Sequence, residues 1–382
     1  MAIKNNPPSS VGEASSDFSA AEAPKKKNNR RKYLLSGAFL IVLVSLTFYV
    51  IFKDRSINDI WSVLKNGKPV YVIAGVLSML GFFLFQGIVI DLSAQCVKIK
   101  LTPWEMMQYS FISFFYSGIT PSAVGGQPMQ FYHMSRDKIS APKATLILFV
   151  TNLTYQIVIV VLGLVMFIAK YSFVAKVNST VIILFFLGLS VNLFILLIIV
   201  CALLSENLFR KVLNGFVSFL CKIKIIKRPS KARRSIETYL EEFKSGTELL
   251  KQNKGRFFLI LLSTSAHFLL YHLIPFFVYR TLGFTGHSIF DFIAISAILF
   301  VAINMFPLPG SVGAAESGFV ILFGPLFGST TLAAMLLARF INFYTMIILS
   351  GCISAYAQLR KPYNLSNISS TEKRKSRLSH IR

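Results

Sequence analysis

Six runs of this chain, 33–52, 70–91, 143–169, 180–204, 257–280 and 331–357, are almost unbroken apolar sequence. Each is about the length a helix needs to cross the hydrocarbon core of a bilayer. Lipid offers no partner to a backbone N–H or C=O, so such runs must satisfy those groups internally. The expectation is an all-α integral membrane protein. Composition agrees: 54% of residues are hydrophobic, mean hydropathy is +0.61, and only 15% are charged, yet the net charge is +24. Charges so few and so one-sided belong in loops and tails, where they set topology and attract anionic headgroups. Nucleic acid is excluded as a partner on the same ground. The four cysteines, Cys96, Cys201, Cys221 and Cys352, have no metal-ligand spacing, so neither zinc nor a disulfide framework is expected. No cofactor is expected.

Residues 1–32 end in "PKKKNNRRK" and read as a basic disordered tail. The run that follows leads into "IFKDR" with no small-residue cleavage pattern, which makes it a retained anchor. The membrane domain is placed at 33–357, with a basic cytoplasmic loop at 205–256 and a basic tail at 358–382. Within the loop, Ile236, Leu240, Phe243, Leu249 and Leu250 recur at helical spacing among Glu and Lys, as in a helix lying on an anionic leaflet.

Two further apolar stretches, 105–132 and 289–328, are broken in the middle by "GITPSAVGGQP" and "FPLPGSVGAAE". In register, Pro121 matches Pro309, Val124 matches Val312 and Gly125 matches Gly313. A polar-dotted span follows each, "TNLTYQI" from Thr151 and "INFYTMI" from Ile341. Of the 40 Lys and Arg, 32 fall in the regions read as cytoplasmic and seven in those read as outer loops. That bias places both termini in the cytoplasm of a multi-pass cell-membrane protein. The first broken stretch then begins and ends inside, the second outside. Each is read as a re-entrant helical hairpin, so that six spans and two hairpins form an inverted-topology repeat, the pattern of many secondary transporters.

Thr120–Pro121–Ser122 and Pro309–Gly310–Ser311 both read as helix starts, a hydroxyl cap beside a first-turn proline. Two helix N-termini near the bilayer midplane would offer amide N–H groups to an anion, and a lipid phosphate is the anion at hand. The amides of Gln127 and Gln130 add polar groups beside the first break. Ionisable residues inside spans are expensive, which singles out Glu316 and Arg339 as a buried pair, with the Arg fork able to reach phosphate. Asn342 shares a face with Arg339. Asn152, Tyr155 and Gln156 make a similar stripe, either lining a cavity or bonding helix to helix. His267, Tyr271 and His272 form either a proton relay or a set of neighbour-satisfied side chains. His133 and Arg136 are read as headgroup contacts at the cytoplasmic edge. There is no Walker loop and no nucleophile elbow.

The segments "GITPSAVGGQPMQFYHM", "FPLPGSVGAAESGF" and "LLARFINFY" resemble the lysylphosphatidylglycerol synthase transmembrane (flippase-like) family over about residues 33–360. The resemblance implies a lipid site with Pro121, Gly125, Gly126 and Gln127 from the first motif and Pro309, Gly313, Glu316 and Arg339 from the second. Many such relatives carry Glu and Arg where Gln127 and Gln130 stand. It implies binding, and translocation between leaflets, of an anionic or aminoacylated phospholipid such as lysyl-phosphatidylglycerol, with links to lipid metabolism and resistance to cationic peptides. The alternative it raises is a membrane component of phosphatidylglycerol lysyltransferase, working with a separate catalytic domain. A third reading is a small-solute or ion transporter on the same repeat. Expected partners are phospholipids, anionic inner-leaflet lipids above all.

Overall fold

The computed structural model describes residues 67–177, 179–204, 253–304, 306 and 308–360, together with Lys65 and five isolated positions in the 205–252 loop. The N-terminal tail, the run 33–52, the chain beyond Arg360 and nearly all of the basic loop lie outside the described residues. Among the described residues every regular element is a helix. Five segments are long and apolar enough to cross a membrane: Pro69–Cys96, Ala141–Lys176, Thr180–Cys201, Lys254–Thr281 and Pro309–Leu359.

Helix α1, Pro69–Cys96, begins on a proline and is about 42 Å long at the α-helical rise. Its large exposed side chains, Val70, Ile73, Leu77, Leu80 and Leu84, recur every three to four residues along one face. The opposite face buries Ser78, Gln86 and Ser93 beside Met79 and Phe83. A helix with an apolar outside and polar groups inside is built for lipid. Helix α5, Ser179–Leu204, likewise exposes Ile183, Phe186, Phe194 and Leu197.

Helices α2, Pro103–Ile119, and α3, Gly126–Arg136, pack on each other across a 3-10 turn at Pro121–Ala123. A capping box, Thr102 with Glu105, fixes the start of α2. This hairpin opens beside the C-terminal end of α1, where the Leu101 N–H donates to Asp91 Oδ1 at 3.4 Å. Long α4, Ala141–Val177, and α5 follow. Helix α6, Lys254–His272, and short α7, Ile274–Thr281, are separated at Leu273, just before Pro275. The pair runs antiparallel to α1: Arg256 Nη1 donates to Gln95 O, and Lys68 N donates to Thr281 O.

The second hairpin is α8, Ile289–Ile303, and α9, Ala314–Phe327, around a 3-10 turn at Pro309–Ser311. A Ser288–Asp291 capping box starts α8, and Asp291 also pairs with Lys170, where α4 is kinked seven residues before its end. Phe327 packs edge-on against Tyr279, so this hairpin opens beside the N-terminal end of α1. The chain turns at Gly328 into α10, Thr331–Arg339, a π-helical turn at Phe340–Tyr344, and α11, Thr345–Leu359. The two 3-10 turns touch each other.

Both helix starts differ from the sequence reading. The prolines occupy 3-10 turns, and the helices begin five residues later, at Gly126 and Ala314. The cause is left-handed backbone at matched positions: Ala123 has φ 54 and Ser311 has φ 52, conformations that cannot continue a right-handed helix from Pro121 or Pro309.

Candidate functional site

The second turn is shaped by Gly310 (φ 58) and Gly313 (φ 86). Gly310 is required twice over, because a Cβ there would lie 2.3 Å from Phe343 Cζ. The Phe343 ring therefore lies directly on the turn, and it also approaches Gly118 at the end of α2. Over that ring stands the Arg339 guanidinium, 5.0 Å from the centroid.

Arg339 and Glu316 form the expected buried pair. Arg339 Nε donates to Glu316 Oε1 at 2.6 Å, and Arg339 Nη2 donates to Gly310 O at 3.2 Å. Glu316 Oε2 accepts from the Gly313 N–H at 2.6 Å. One carboxylate thus closes the start of α9 and neutralises the arginine. The helix end expected to offer its amides to phosphate is already engaged by Glu316, and Arg339 is left as the cationic group of this turn. The π-helical turn directly after Arg339 offsets the helix register there, a device that recurs at functional positions.

Beside the pair is a cavity of about 50 Å³ lined by Tyr271, Ser296, Phe300, Phe319, Arg339 and Asn342 among others. Asn342 Oδ1 is buried without a hydrogen-bond partner. The volume admits a few waters, which need about 10–15 Å³ each on this measure, and no lipid headgroup.

The first turn is uncharged. Thr120 Oγ1 donates to Tyr116 O at 2.6 Å and accepts from the Gly125 N–H at 2.9 Å, stitching α2 to α3. Gly126 is buried against α2, where a Cβ would lie 2.2 Å from Ser117 Oγ. Pro121, Val124 and Gln127 are exposed; the Ser122 side chain lies outside the described residues. Gln130 is buried and donates to Tyr109 O.

The matching family model, described as the lysylphosphatidylglycerol synthase TM region, covers residues 33–350, which includes both turns and the Glu316–Arg339 pair. The chain belongs to this family. It is a multi-pass membrane protein of a family named for lipid metabolism. It is also similar to a UPF0104 membrane protein of Archaeoglobus fulgidus, 22% identical over 326 residues, 85% of this chain and 97% of that one.

In this family member, Pro309, Gly310, Ser311, Gly313, Glu316, Arg339 and Asn342 form one cluster, against which the turn carrying Thr120, Pro121 and Gly125 rests. Asn152, Tyr155 and Gln156 lie apart from the cavity lining. Tyr155 stacks on His267 at 5.1 Å in the α4–α6 interface, its hydroxyl buried without a partner, as is Gln156 Oε1. Of the two readings of the histidines, neighbour satisfaction fits: His267 Nδ1 lies 2.8 Å from Phe82 O, and His272 Nδ1 lies 2.9 Å from Ser296 Oγ.

His133 and Arg136 are not surface cations awaiting headgroups. His133 is fully buried with neither ring nitrogen bonded, and Arg136 caps the end of α11 through Ala357 O at 2.7 Å, Arg360 O at 2.6 Å and Gln358. Beside them is an ion pair the sequence reading missed. Arg360 donates to both Asp137 carboxylate oxygens, at 3.0 and 2.6 Å, and to Gln108 Oε1 at 3.1 Å. Tyr109 donates to the same Asp137.

Proposed function

We propose that this protein binds an anionic or aminoacylated phospholipid and moves it between leaflets. The observation that carries this reading is the meeting of two broken turns beside a buried arginine. Irregular backbone at membrane depth is tolerated where it lines a cavity, and paired broken helices are the usual place for a transported group. In this reading Arg339 holds the phosphate through the face of its fork not taken by Glu316. Asn342 and the neutral first turn, with Gln127 at its exposed edge, contact the rest of the headgroup.

The topology proposed with it is six spans and two re-entrant hairpins in an inverted repeat, both termini cytoplasmic. Its support is the positive φ shared by Ala123 and Ser311 and the opening of the hairpins beside opposite ends of α1. The test is leaflet-resolved lipid labelling in cells carrying Arg339→Ala or Glu316→Gln: loss of asymmetry supports the reading, and unchanged distribution with folded protein ends it. The family's name favours a second reading, a membrane component of lysyl-phosphatidylglycerol synthesis. Expressing the chain alone and extracting lipids separates the two, since new lysyl-lipid would signal synthesis.

A further inference from the structure

The two ends of the helical bundle are closed in different ways. At the end where α1 starts, the first half of the chain meets the second through Lys170 and Asp291, whose side chains are 28% and 18% exposed. At the other end the halves meet through Asp137 and Arg360, 0% and 7% exposed, with Arg136 bonded to the last carbonyls of α11. The second closure is charged, its ion pair is buried, and it is cross-linked between α3 and α11.

It is also incomplete. Among the described residues, several buried side-chain polar atoms have no hydrogen-bond partner. Seven of them belong to this one end: Glu105 Oε1, Gln108 Nε2, both ring nitrogens of His133, Ser135 Oγ, Arg136 Nε and Ser354 Oγ. None belongs to the Lys170–Asp291 end. A buried group without a partner costs its full desolvation, and native interiors keep such groups few. Clustered around a strong ion pair, they set two opposed terms. Closing gains the Asp137–Arg360 and Arg136 bonds; opening hydrates seven stranded atoms on α2, α3 and α11. Two arrangements held close in free energy by opposed terms are what a bistable gate requires.

We infer that Arg136, Asp137 and Arg360 are a latch that opens and closes the α3–α11 end of the bundle. The inference rests on the transport reading, where this end faces the cytoplasm and its opening admits a headgroup from the inner leaflet. The same latch would serve any substrate entering from that side.

The test needs no substrate. In the full chain with Cys96, Cys201, Cys221 and Cys352 replaced by Ser, one probe is Ser354→Cys, an isosteric change at a buried hydroxyl. A second probe, Ser296→Cys, reports on a buried position in α8 away from the latch. Water-soluble maleimide is applied to membranes open on both faces. Asp137→Asn is expected to speed labelling at 354 at least tenfold and leave 296 unchanged. The charge swap Asp137→Arg with Arg360→Asp is expected to restore protection. An unchanged rate at 354, or an equal rise at 354 and 296, overturns the latch. Since labelling is read without lipid transport, a failed translocation assay bears on the proposed function and not on this result.

Discussion

The two broken turns share a backbone and differ in chemistry. Both place a proline at the head of a 3-10 turn, both put a residue with φ near 50 two positions on, and both start a helix five residues after the proline. The first is fastened by two neutral hydroxyls, Thr120 and Ser117, and presents exposed Pro121, Val124 and Gln127. The second is fastened by a carboxylate that also binds a buried guanidinium resting on an aromatic ring. The two turns are therefore a matched pair of gaps in the helical ladder, and ionisable side chains sit in only one of them. Only the second turn holds a buried ion pair, Glu316 with Arg339.

That contrast can be broken by substitution. The largest effect is expected from Glu316→Ala, which leaves the buried Arg339 without its carboxylate; removing one partner of a buried pair costs about 3–5 kcal/mol. Thermal unfolding in detergent would show it, and Arg339→Met added to Glu316→Gln should recover much of the loss. Next is Gly310→Ala, with strained φ and a ring in the way of its Cβ. A loss of about 2–3 kcal/mol follows from a disfavoured backbone combined with overpacking. Thr120→Val should cost the first turn about 1 kcal/mol, the scale of a lost cap. Smaller still, Ala123→Gly should be neutral or stabilising by up to about 1 kcal/mol, because glycine removes the left-handed penalty at an exposed position. If Thr120→Val proved as damaging as Glu316→Ala, the division into a neutral and a charged turn would be wrong.

Much of this was legible in the sequence because lipid makes its demands visible. Apolar runs give the helices, prolines and glycines give the breaks, and a lone Glu and Arg in apolar sequence identify each other as partners. The helix starts were not legible. A proline permits a 3-10 turn as readily as a first α-turn, and nothing in "PSA" announces a positive φ at Ala123. The closing of α9 by Glu316 was hidden by a competing use of the same carboxylate. Asp137 and Arg360 escaped notice because charges at span ends are ordinarily solvated, and only packing shows that these two are buried. Arg136, half-buried, misled because its guanidinium is spent on the carbonyls at the end of α11.

The central claim is that the hairpins approach from opposite faces of the membrane and meet at their turns. Single cysteines at Lys98, Lys138, Gly283 and Ser329, in the cysteine-free chain, place the four hairpin ends against impermeant reagent added to sealed right-side-out cells and to inverted vesicles. The account predicts that positions 98 and 138 react only from the cytoplasmic face and 283 and 329 only from outside. All four reacting from one face would contradict it.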